Sequence, residues 1–187
     1  MAMSSGRTGS NNSDETDGTM KSRGFTLVEA VIVLTIIGVL MAVVYPVARS
    51  MTGKSQQAVC LNLLRSQGTG LQAYLQEHND MMPELETGRK TKNENVPVLD
   101  TVLLPYTGSA EMFHCPADKE HFEKSGNSYF WNKLQSGRRS TDLYFFDVKN
   151  ERIPLIFDKE AWHPGGTNYL YGDLSSSNKP RFVAETR

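Results

Sequence analysis

Two sets of residues in this chain have the types and spacing to do chemistry. The first is a lone carboxylate, Glu29, near the start of the apolar run RGFTLVEAVIVLTIIGVL at residues 23–40. A charged side chain costs roughly 3 kcal/mol at the centre of a bilayer and less one turn inside its edge, so an acid kept there has a use or lies shallow. The second is His163, flanked by Asp158 and Asp173. One histidine and two carboxylates make a sparse metal site that suits several ions. The favoured reading is structural: Asp158 and Asp173 end adjacent strands, and His163 donates a hydrogen bond to one of them across the WHPGG turn.

No catalytic constellation is expected. His114 stands beside Cys115, but sequence neighbours rarely face each other and no third group is evident to orient such a base. HPGGTN lacks the lysine and the strand-then-helix context of a phosphate loop, and GxSxG and HExxH patterns do not occur. Ser175, Ser176 and Ser177 read as a turn, while Trp131 and Trp162 read as packing residues rather than the walls of a sugar groove. Cys60 and Cys115 have neither CxxC nor zinc-finger spacing, so a structural metal cage is not expected. In an exported domain they would form one disulfide worth roughly 4 kcal/mol. Composition alone leaves two separate buried thiols equally open.

These residues need elements to hold them. The chain has 187 residues, with 20 Lys+Arg against 21 Asp+Glu, so bulk charge implies neither nucleic acid nor an anionic surface as a partner. Residues 1–19 are Ser, Gly, Asn and Asp without large aliphatics and are expected to be disordered. Met20 opens MKSRG, which reads as a second start site. From Phe25 the run FTLVEAVIVLTIIGVLMAVVY is helical by length, reaching about 30 Å, the thickness of a bilayer core. It is too long for a cleaved secretory signal. Lys21 and Arg23 before it predict a cytoplasmic N-terminal flank and a C-terminal domain on the far side.

Beyond Pro46, the positions of Val47, Met51, Ala58, Leu61, Leu64, Leu71 and Leu75 predict an amphipathic stem, weakened by about 1 kcal/mol at each of Gly53, Gly68 and Gly70. Residues 79–83 should end it, and 82–110 read as loop. Strand-like runs follow at 128–132, 143–148, 153–158, 168–173 and 181–184. The expected class is α+β, with a long N-terminal helix against a small antiparallel sheet. The expected layout is a leader at 1–24, a membrane span at 25–47, a stem at 48–80 and a loop-and-sheet domain at 81–187.

Gly24, Phe25, Thr26, Leu27, Val28 and Glu29, after a short basic leader, resemble the processing site of type IV pilins and type II secretion pseudopilins. The resemblance implies cleavage between Gly24 and Phe25 on the cytoplasmic side, methylation of the new Phe25 amine, and a pilin-like fold. Glu29 would then neutralise the Phe25 amine of a neighbouring subunit, two buried charges being tolerable only when they meet. Further stretches, CLNLLRSQGTGLQAYLQEHNDMMPE at 60–84, LLPYTGSAEMFHCPAD at 103–118, NSYFWN and LIFDKEAWHPGGTNYLYGDL at 155–174, are similar to pilin-like proteins of planctomycete and verrucomicrobial bacteria. Those carry a C-N-L stem motif, a C-P-x-D loop and a C-terminal H-x9-D-G motif. Here Leu174 replaces the last glycine, which puts in question a turn of positive φ at that position.

From the resemblance come a Cys60–Cys115 disulfide and an inner-membrane, single-pass location with a periplasmic domain. The implied partners are copies of itself, other pseudopilins, the prepilin peptidase, the assembly platform and membrane lipid, with no nucleic acid. The function expected is a structural subunit of a pseudopilus or pilus-like filament, not an enzyme, and no cofactor is expected. Calcium, which related pseudopilins bind in a C-terminal loop, is the ion that Asp158, His163 and Asp173 would hold. The alternative is a membrane-tethered periplasmic module binding calcium or glycan.

Overall fold

The computed structural model describes residues 25–146 and 148–181, and the leader expected at 1–24, with Gly24, lies outside them. The chain divides into two compact units, Met1–Val43 and Val44–Arg187. One helix, α1 (Leu27–Glu77), begins in the first and continues in the second. Thr26 caps it: its hydroxyl accepts from the Glu29 N–H at 3.2 Å and its carbonyl from the Ala30 N–H at 3.1 Å.

In the first unit the helix is apolar all round and none of it is buried; by length and composition it can cross a membrane. Pro46 lies inside α1, and without an N–H it cannot make its intrahelical bond.

In the second unit α1 turns a stripe of Cys60, Leu64, Gln67, Leu71 and Leu75 into the core. The stripe starts later than its periodicity predicts, because Val47, Met51 and Ala58 are exposed. Around those turns Gln56 and Gln57 meet the domain instead, through hydrogen bonds to the Pro116 carbonyl and the Asn168 side chain. Gly68 and Gly70 are close-approach points rather than weak links. A Cβ at Gly68 would stand 3.0 Å from the Leu170 side chain, and one at Gly70 would stand 2.7 Å from the Thr107 methyl. The helix stops where Asn79 (φ 54°) and Asp80 (φ 60°) take left-handed backbone, and the Asp80 N–H returns to the Leu75 carbonyl.

The four-stranded antiparallel sheet runs in the order β1 (Tyr129–Trp131), β2 (Pro154–Asp158), β3 (Tyr169–Tyr171), β4 (Ser176–Ser177). Phe130 pairs with Phe157 across β1 and β2, and Ile156 with Leu170 across β2 and β3. A long N-terminal helix with a small antiparallel sheet is the α+β, pilin-like arrangement the sequence predicts.

Four expectations about elements change. Part of the segment read as loop at 82–110 is α2 (Leu99–Thr107), which buries Leu99 and Leu103 and ends on Gly108 at φ 74°. Pro105 inside it and Pro97 just before its N-cap mask it as a breaker-rich stretch. The run LYFFDV makes no strand among its described residues: the buried Gln135 amide donates to the Tyr144 carbonyl at 2.7 Å and accepts from its N–H at 3.0 Å, and Phe146 turns the chain at φ 48°. The serines read as a turn instead supply β4. Arg181 is not in a strand, and the rest of the run expected at 181–184 lies outside the described residues.

Candidate functional site

At the start of α1, Phe25 is 70% exposed. Glu29 stands in the first turn, where unsatisfied N–H groups give the helix a partial positive charge. Its carboxylate has no hydrogen-bond or ion-pair partner among the described residues. The first turn therefore offers the acid a favourable position.

The second candidate region forms around Cys60 and Cys115, which are joined as a disulfide with a Cα–Cα distance of 5.4 Å. A helix residue and a loop residue thus lock the stem to the domain. The Cys115 N–H bonds the Ser128 hydroxyl, which donates to the Asp118 carboxylate at 2.6 Å. Asp118 also accepts from the N–H groups of Glu120, His121 and Phe122, and so opens the short helix α3 (His121–Ser125). Burial alone would raise the Asp118 carboxyl, but the bonds from Ser128 and these three N–H groups hold it below the ordinary carboxylate range. Sequence reasoning missed this network, although an aspartate followed closely by glutamates and then a lysine is a helix-start signal.

His163 packs against the disulfide. Its Nε2 lies 3.3 Å from Cys115 Sγ and 3.7 Å from Asp158 Oδ2, with both side chains essentially inaccessible. Asp158 Oδ2 accepts from the Asn168 N–H at 2.8 Å, and the Asn168 side-chain oxygen accepts from Gln57. His163 Nδ1 and Asp158 Oδ1 are buried without hydrogen-bond partners among the described residues. Burial pushes the Asp158 carboxyl up to about 7, against the opposing bonds from Asn168, and pulls His163 below its ordinary value. The expected hydrogen bond from His163 to a strand-end aspartate is not made: Asp158 does end β2, but 3.7 Å is too long.

Asp173 does not join this group. It lies in the turn after β3, where Ser175 donates its N–H at 2.9 Å and its hydroxyl at 2.5 Å and Arg181 approaches at 3.1 Å. Burial opposes ionisation there, but those bonds outweigh it and hold the carboxyl low. The three-residue ion site drawn from spacing is therefore not assembled, since its second carboxylate, Asp173, is taken by Ser175 and Arg181. In the same turn Leu174 has φ 60°, so a residue with a Cβ takes the left-handed conformation that favours glycine.

The cysteine, histidine and aspartate do not form a nucleophilic relay. The sulfur is in a disulfide, and both neighbours of the imidazole lie at Nε2, leaving no carboxylate on Nδ1 to orient it. His114 stacks on Phe122 at 4.2 Å and faces Glu111 rather than Cys115. Trp131 is fully buried, with its indole N–H on Ser136.

The family described as the prokaryotic N-terminal methylation motif matches residues 19–45. The match covers Gly24, Phe25 and Glu29 and supports a pilin-like protein with a leader processed by a prepilin peptidase. With the unburied apolar helix, it describes a membrane-anchored, single-pass chain. The chain matches no curated protein and no solved structure.

Proposed function

We propose that the chain is a structural subunit of a type II secretion pseudopilus or a type IV pilus-like filament, of the planctomycete-verrucomicrobial type. A prepilin peptidase cuts between Gly24 and Phe25, and the Phe25 amine is methylated. The apolar half of α1 holds the subunit in the inner membrane with its sheet domain in the periplasm. On assembly, Glu29 of one subunit meets the Phe25 amine of another, alongside other pseudopilins and the assembly platform. The role involves no catalysis. The observation that carries this reading is the methylation-motif match on a helix whose first-turn acid, Glu29, has no partner among the described residues.

The intact mass of the membrane-extracted protein tests processing: the expected mass begins at Phe25 and carries one added methyl group, whereas a chain retaining residues 20–24 overturns it. Assembly is tested by Glu29→Ala. The variant is expected to be processed normally yet to lose self-crosslinking and filament entry; undiminished self-assembly would favour a tethered binding module.

A further inference from the structure

We propose that the dithiol form of this protein holds a zinc ion between Cys60 Sγ, Cys115 Sγ, His163 Nε2 and Asp158, and that closing the disulfide expels it. The two sulfurs and a His163 ring nitrogen lie within 4.8 Å of one another and all three residues are buried. Asp158 Oδ2, 3.7 Å from the same Nε2 that stands 3.3 Å from Cys115 Sγ, would turn toward the sulfurs to supply the fourth corner. A tetrahedral zinc with bonds of roughly 2.3 Å to sulfur and 2.1 Å to nitrogen or oxygen sets its ligands roughly 3.3–3.8 Å apart. The two separations from Nε2 already lie in that range; binding requires the sulfurs to part and the Asp158 carboxylate to approach them. His163 Nδ1 and Asp158 Oδ1 are buried without hydrogen-bond partners among the described residues, so two polar atoms stand free to serve the site. Two sulfurs, one imidazole and one carboxylate favour zinc over the calcium that an all-oxygen loop selects.

The chain is synthesised with free thiols, so the dithiol state precedes the disulfide. Zinc binding displaces one proton from each thiol. Oxidation then passes two electrons from the two thiolates to a disulfide-carrying oxidant, which takes up two protons and becomes a dithiol. The Sγ–Sγ bond forms and Zn2+ leaves, because a disulfide sulfur no longer has the thiolate charge that binds metal. The site thus holds Cys60, Cys115 and His163 in register until the covalent link replaces the ion.

The test uses the full-length protein in detergent, reduced with a phosphine and titrated with Co2+. One equivalent is expected to give a thiolate-to-cobalt charge-transfer band in the near ultraviolet, which Zn2+ abolishes and the oxidised protein never shows. His163→Ala and Asp158→Asn are each expected to weaken binding by roughly tenfold or more. Should reduction loosen the domain, Zn2+ is still expected to slow alkylation of Cys60 and Cys115 and to raise the melting temperature of the reduced chain. Alkylation at the same rate with and without Zn2+, the same band in oxidised protein, or undiminished Co2+ affinity in His163→Ala would each overturn the proposal.

Discussion

Asp118 illustrates how much one side chain carries here, since four donors converge on it and one of them also receives the Cys115 N–H. Its carboxyl lies below the ordinary range in the folded state, so its contribution is fully present above the unfolded carboxylate value near 4 and is lost as pH falls through the folded value. Asp118→Asn is expected to flatten the acid side of the stability curve and to cost about 1–2 kcal/mol at neutral pH, read by urea unfolding at several pH values. Leu174 offers a second test, because its φ of 60° is costly for any residue with a Cβ. Leu174→Ala and Leu174→Gly lose the same packing, but only glycine relieves the backbone. The glycine variant is therefore expected to be the more stable of the two by about 1 kcal/mol. Glu29 and His163 were both legible as residues of interest. Of the neighbours of His163, Asp158 was legible and Cys115 was not, while Asp173, ten positions along the chain, is claimed by Ser175 and Arg181.

At the scale of elements, α1 touches α2 and β3 through glycines. Gly70→Ala gains helix propensity of about 1 kcal/mol but drives a Cβ to 2.7 Å from the stiff Thr107 side chain, so a net loss of about 1–2 kcal/mol in thermal unfolding is expected. The periodicity of α1 was readable, and so were β1, β2 and β3, whose aromatic and β-branched runs lie between turn residues. Helix α2 was hidden by its prolines. LYFFDV has the composition of a strand, yet no neighbouring strand takes its Tyr144 backbone groups; a side-chain amide does. Gln135→Leu would leave that N–H and C=O unpaired, and is expected to destabilise the domain by about 1–3 kcal/mol with faster hydrogen exchange at Tyr144.

At the scale of the molecule, the two units differ in what stabilises them. The described part of the first is an apolar helix with an uncovered surface, long enough to cross a bilayer, and the second has its own core and a covalent staple. The disulfide closes a loop with a sequence separation of 55, worth about 4 kcal/mol by chain entropy. Reducing metal-free protein is therefore expected to lower the melting temperature of the sheet domain while leaving the helicity of the membrane segment unchanged, as followed by near- and far-ultraviolet circular dichroism. By itself the sequence determined the anchor, its leader motif, the long helix and the α+β class, because these rest on local composition and on patterns within a few turns of chain. The tertiary structure decided the rest: which face of the stem is buried, that Gln135 stands in for a strand, and that Asp158 joins His163 and the two cysteines while Asp173 does not. Those outcomes depend on which groups distant in sequence reach one another first, and no spacing along the chain encodes that competition.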